Sequence, residues 1–216
     1  MIPDVKLNNV SMLSIGWLRE GINFPAPQSQ ANTIVVPGRN SPIRYTEALG
    51  RVFYQPRMFD ITLSMLGTRE KFNQMSEQII NRFAGRLVDV ILSEEPALYC
   101  TGTLEITPGY DPLTHKGQLA INSSDADAYR YHTEETAVTV TGGGNVILSN
   151  DFMPVIPVVT AEAETILKWQ VGTDRFIKTV SAGAWTFPEL ELGHGVNEIE
   201  VITDGTVIFR YREGRL

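Results

Sequence analysis

Between Thr68 and Gly85 the chain reads TREKFNQMSEQIINRFAG, with Phe72, Met75, Ile79, Ile80 and Phe83 at helical spacing and Glu70, Gln74, Glu77, Gln78 and Arg82 at other positions. That period predicts an amphipathic α-helix over 69–84. Thr68 suits the N-cap, and Gly85 suits the left-handed residue that closes the last turn. An apolar stripe can be a partner-binding face, but core packing is its commoner use and is the reading adopted.

On both sides of this helix the period changes to two. RMFDITLSML sets Phe59, Ile61, Leu63 and Met65 on one face and Asp60, Thr62 and Ser64 on the other, and RLVDVILS is short, mostly apolar and β-branched. Both predict strands. Strand, helix, strand is also the order of a parallel crossover with a phosphate loop, but no glycine cluster joins Met65 to the helix.

The second half has no comparable helical stretch. AVTVT, NVILS, PVIPVV, ILKWQV and RFIKTV are short strand-like runs separated by turn signals, and VNEIEVITDGTVIFRYREG predicts a hairpin about Asp204-Gly205. Many short strands with little helix argue for an antiparallel β-sandwich of jelly-roll type. Polar and glycine residues concentrate in SSDADAYRYHTEET and TGGGN, which places a boundary near 135 and gives domains 1–135 and 136–216. The segment 23–50 is rich in proline and polar residues, and only Thr33–Val36 resembles a strand. So long an extended segment inside a domain suggests an arm for gripping a neighbour, the alternative being a disordered surface loop.

Composition narrows the function classes. The 216 residues are 43% hydrophobic and 20% charged, ordinary for a folded chain, with a net charge of −7. Up to Glu135 there are 12 Lys and Arg against 15 Asp and Glu, and 6 against 10 follow. Neither half has the basic patch that binding to nucleic acid or anionic lipid requires. A lone cysteine excludes an internal disulfide framework. The start, MIPDVKLNN, lacks the pattern of a signal peptide, and no run is long and apolar enough to span a bilayer, so folding in a reducing cytoplasm is expected.

The sequence carries no recognisable catalytic, metal or cofactor constellation. His115, His132 and His194 lie far apart in sequence. Asp125 and Asp127 open like a calcium loop but lack the glycine and the terminal glutamate. The glycines 142–144 are not followed by the Lys and Ser/Thr of a phosphate cradle, so hinge or hairpin is the sounder reading. No nucleophile elbow accompanies Cys100, and the adjacent Glu94 and Glu95 point in opposite directions on an extended chain, a poor geometry for a glycosidase pair. In SEEPALYCTG, residues 93–96 read as a solvent-facing turn. Leu98, Cys100 and Leu104 then share one side of the next strand, which makes Cys100 a small buried hydrophobe.

The order of elements, VPGRN, RMFDITLSMLG, FNQMSEQIINRFAG, RLVDVILS, EEPALYCTGTLEI, KGQLAINSSDADAY and the hairpin ending in FRYREGRL, resembles the distal tail proteins (Dit) of long non-contractile-tailed, siphovirus-type bacteriophages. The resemblance implies a mainly β chain. An N-terminal β-sandwich or barrel with one packed α-helix, tail-tube-like, would form a ring, and a galectin-like antiparallel β-sandwich would follow. It further implies a hexameric hub ring at the tail tip of the virion, made in the host cytoplasm. This ring would join the tail-tube protein to a tail-associated hub, fibre or receptor-binding protein, with no enzyme activity, cofactor or membrane and with DNA only passing through the lumen. For contacts between subunits the loop 36–56 is favoured, and within it Arg39, Arg44 and Tyr45, because arginine and tyrosine are enriched where interfaces carry energy. The alternative is a carbohydrate-binding adhesion module acting through the C-terminal sandwich. Trp169, Trp185 or Tyr211 would then stack on a sugar, although core packing is the commoner fate of a tryptophan in such contexts.

Overall fold

The computed structural model describes residues 2–30, 33–44 and 50–216. Among them the period-two runs form antiparallel sheets and the 3.6 period forms one α-helix. The chain divides into two compact units, Met1–Arg130 and Tyr131–Leu216.

The first unit contains β1 (Val5–Leu7), β2 (Val10–Ser11), β3 (Leu18–Asn23), β4 (Thr33–Ile34), β5 (Ile43–Arg44), β6 (Arg57–Leu66), α1 (Arg69–Phe83), β7 (Leu87–Leu92), β8 (Leu98–Thr103), β9 (Glu105–Asp111) and β10 (Lys116–Ala126). One sheet includes the run β2-β1-β7-β8, and another is β3-β6-β10-β9. The strands on either side of the helix, β6 and β7, belong to different sheets, so their order is not a parallel crossover. Asn8 and Asn9 turn β1 into β2 with φ of 47° and 65°, the conformation a two-residue hairpin needs and asparagine tolerates.

Alternation decides what is buried. Phe59, Ile61 and Leu63 of β6 and Leu119 and Ile121 of β10 share one core with Val5 and Leu7 of β1, Val88 and Val90 of β7 and Cys100 of β8. The helix is capped by Thr68, whose Oγ1 accepts from the Lys71 amide at 3.3 Å, and it adds Phe72, Ile79 and Phe83 to that core. Met75 and Ile80 are only half-buried, and Ser76 takes the position between, donating to the Asn73 carbonyl at 3.0 Å. Helix and sheet approach closely at Gly117 of β10, where any Cβ would press into the Phe72 ring. Gly102 of β8 is equally confined, since a Cβ there would sit 2.6 Å from Ser123 Oγ and 2.7 Å from Ala126 Cβ.

After β11 (Arg130–His132) the second unit consists of β12 (Thr136–Thr141), β13 (Gly144–Asn150), β14 (Val158–Ala161), β15 (Thr165–Val171), β16 (Asp174–Val180), β17 (Gly183–Thr186), β18 (Gly195–Thr203), β19 (Thr206–Tyr211) and β20 (Gly214–Arg215). Two four-stranded antiparallel sheets, β12-β19-β14-β17 and β13-β18-β15-β16, enclose one core. Val159, Val207, Phe209 and Tyr211 enter it from the first sheet, and Leu148, Leu167, Trp169, Ile199 and Val201 from the second. Gly142 and Gly143 carry the chain from one sheet to the other at φ of 72° and 78°. The β18–β19 hairpin turns at Asp204-Gly205, where the alternation places it.

Candidate functional site: the arm and its root

The described residues between β3 and β6 include a paired ribbon rather than a single strand-like run. At its base the Gln30 amide donates to the Phe53 carbonyl at 2.7 Å and the Gln55 amide to the Gln28 carbonyl at 2.8 Å. Farther out β4 pairs with β5, Thr33 opposite Arg44 and Ile34 opposite Ile43. The pairing explains how so long an excursion can hold a shape with almost no core of its own. Its apolar side chains have little to cover them: Val35 is 78% exposed, and Ile34, Val36 and Phe53 are exposed as well. Exposed apolar residues grouped on one projecting element are a mark of an interaction site.

Arg57 anchors the root of this arm. It is the residue at which the chain leaves the arm and enters β6, and it is only 3% exposed. Its guanidinium donates to the Pro25 carbonyl, where the arm departs, and at 3.0 Å to the Ala128 carbonyl. The same group lies 5.0 Å over the Phe24 ring, which stacks on Phe59 of the core. Burial pulls the Arg57 pKa below its ordinary value, an effect that the Glu95 carboxylate partly offsets. Tyr54 meets Tyr129 edge-on at 5.8 Å, a second contact between arm and body.

Next to this root lies the segment SEEPALYCTG. Its carboxylates are more than wet turn residues: Glu94 accepts a two-pronged contact from Arg19, and Glu95 pairs with Arg130. Arg19 is nearly buried while Glu94 is half-exposed, so the pair covers a strand end. Hydrogen bonding from Arg19 is the main reason that the Glu94 carboxyl titrates below the ordinary range. Cys100 is buried and its thiol is pushed up to about 12, chiefly by burial, so it is held as an unreactive thiol. Asp125 accepts from the Thr103 amide at 2.9 Å and from the Ser123 hydroxyl at 3.2 Å, the role of a strand-end anchor.

The expected contact residues separate. Arg39 is exposed in the turn after β4, its amide donating to the Val36 carbonyl at 3.1 Å, and Arg44 is exposed on β5. Tyr45 lies outside the described residues. The tryptophans separate too. Trp169 is 6% exposed, stacks on Phe176 at 5.5 Å and donates from Nε1 to the Glu189 carbonyl at 3.0 Å. Trp185, on the edge strand β17, is 38% exposed and donates from Nε1 to the Ser181 carbonyl at 3.0 Å. The outer face of β15, β16 and β18 bears an open groove of about 380 Å³, lined by Lys168, Gln170, Arg175, Ile177, Glu198 and Glu200 among others.

Sequence reasoning passed over Arg57, although a signal was present: it shares the parity of Phe59, Ile61, Leu63 and Met65, all facing the core. A charged residue at a core position of an alternating strand must find buried acceptors, here two carbonyls that tie the arm down.

No protein-family model matches the chain, and no curated protein sequence does. Among solved structures the chain is similar to the crystal structure of SPP1 Dit (gp 19.1), described as a paradigm of the hub adsorption apparatus in phages that infect Gram-positive bacteria. The match has a TM-score of 0.73 at 14% identity and covers 100% of both chains. At that identity the likeness shows a shared fold, and it extends over the whole of both chains.

Proposed function

We propose that this chain is a structural protein of a phage tail, a hub or adaptor at the tail tip that joins the end of the tail tube to the proteins of host adhesion. The observation that carries this reading is the match in fold, end to end, with a protein of a hub adsorption apparatus. In finer detail we propose a hexameric ring formed by the first unit, with the arm reaching a neighbouring copy. A ring uses heterologous contacts, one patch against a different patch, and an arm with exposed Ile34, Val35 and Val36 beside Arg39 and Arg44 suits such a contact. Tyr45 belongs to the same proposed contact. The net charge of −7 suits a lumen through which DNA must slide without adhering. The proposed partners are the tail-tube protein on one side and a hub, fibre or receptor-binding protein on the other, in the virion and without a membrane.

Electron micrographs of the purified protein test this reading: rings with a central hole are expected. A strict monomer at every concentration, also in the presence of the tail-tube protein, overturns it. A second reading, a carbohydrate-binding module in the second unit, draws on Trp185, whose ring has surface to offer. It predicts reproducible glycan-array binding that Trp185→Ala abolishes without loss of folding.

A further inference from the structure

A sheet edge presents a row of unpaired main-chain N–H and C=O groups, and natural edges are blunted by charge, proline, a bulge or brevity. Here β3 carries Arg19, Glu20 and a bulge between Arg19 and Gly21, and β9 carries Glu105, Pro108 and Asp111. Likewise β16 carries Asp174, Arg175 and Lys178, while β2, β17 and β20 are very short. The remaining corner of the second unit is different. TAVTVTGGGNVILSN, residues 136–150, contains no charged residue and no proline, and it supplies two sheet edges, β12 and β13. Of these, β13 opens on Gly144 at φ 131°, away from regular strand geometry. β12 is β-branched at all but one position, alternates cleanly between half-buried and exposed residues and lies at the edge of its sheet.

We propose that β12 pairs edge to edge with β12 of a second copy of this chain, antiparallel across a two-fold axis with Thr139 opposite Thr139. On a two-fold axis each side chain meets its own symmetry mate or that of a near neighbour, so a charged edge would set like charges against each other. β12 has none. Opposed residues of an antiparallel pair share a face, and centring on Thr139 satisfies this throughout: Ala137 faces Thr141 on the exposed side, and Val138 faces Val140 on the core side. Centring on Val138 instead would bring Glu135 into the ladder opposite Thr141. The joined sheet would run unbroken from one sandwich into the next. This pairing does not rest on the ring reading: rings would be tied in pairs, and a chain that forms no ring would be tied into dimers.

The test is native mass measurement on the full chain. Thr139 is exposed, so Thr139→Lys and Thr139→Asp leave the core untouched. Each alone is expected to halve the assembly mass at concentrations where the wild type is paired, and an equimolar mixture of the two is expected to restore it. Ile147→Lys on the neighbouring edge β13 should change nothing. Thr139→Cys should form an interchain disulfide on mild oxidation, because opposed Cβ atoms lie about 4.5–5.5 Å apart, and this arm stands even if the charged variants fold poorly. An unpaired wild type at every concentration, a mass unaltered by either folded charged variant, halving by Ile147→Lys, or no disulfide from the cysteine variant overturns the proposal.

Discussion

The first unit buries an arginine and the second buries none, and the two kinds of buried polar group serve different ends. In the second unit Asn150 donates to the carbonyls of Met153 at 2.8 Å and Leu192 at 3.1 Å, and Thr165 donates to the Ala163 carbonyl at 3.1 Å and lies 3.0 Å from the Thr203 hydroxyl. These bonds close the sandwich on itself. In the first unit Arg57 spends its donors on Pro25 and Ala128, residues outside the sheets, and so fixes an arm that adds almost nothing to the core. The buried arginine thus ties down a segment outside the sheets, while the buried Asn150 and Thr165 bond within their own unit.

The sharpest test of that contrast is to damage each core separately. Phe83→Ala in the first unit and Phe209→Ala in the second each remove a fully buried ring, and each should destabilise its own unit by about 3–5 kcal/mol. Two calorimetric transitions are expected, each variant lowering one of them, and a single transition lowered equally by both would break the comparison. Next comes Gly117→Val, which overpacks the seam between Phe72 and β10 and should lower the first transition by about 1–3 kcal/mol or more. Arg57→Met follows. It removes hydrogen bonds from a charged donor, worth about 1–3 kcal/mol. Its distinguishing sign is local: the amides of Gln30 and Gln55 in the arm should exchange faster with solvent while those of β6 and β10 hold, as read by hydrogen exchange. Loss of protection throughout the first unit would make Arg57 a core support and not an arm anchor.

The smallest effect concerns pH. Arg19 holds the folded-state pKa of Glu94 below its ordinary 4.5, so the unfolded chain binds that proton more readily. The stabilisation is therefore present above about pH 4.5 and is lost as the pH falls through the folded value. Glu94 is more than half exposed, which limits the pair to under about 1 kcal/mol. Acid titration of Glu94→Gln against the wild type should show the difference near neutrality and its disappearance in acid. A difference that instead grows on acidification would reverse the sign.

The mainly β class, the helix over Arg69–Phe83 and the hairpin at Asp204-Gly205 were legible because each depends on neighbours within a few residues. Other signals were equally local and were passed over. Asn8-Asn9 is a hairpin turn by residue type, and Asn150 shares the buried parity of Val146 and Leu148 just as Arg57 shares that of Phe59. Other features had no local signal. β9 contains Pro108 and Gly109 and reads as a loop until β10 lends it hydrogen bonds, and as an edge strand it can keep that proline. Every residue of β17 is exposed, so no alternation marked it.

The candidate site divides in the same way. Composition and spacing picked out the arm, its arginines and the tryptophans, yet Trp169 and Trp185 are alike in sequence context and differ in fate. Trp169 stands in β15 between two neighbours and fills a core, while Trp185 sits at the sheet margin. What the sequence determined by itself is the local period of each segment, set by 3.6 residues per helical turn and two per strand repeat. Only the tertiary structure decided which strands pair, which edges stay open and where Glu94, Glu95 and Arg57 find their partners. Those contacts join residues as far apart as Arg19 and Glu94 or Arg57 and Ala128, and they form only once the chain has closed around its cores.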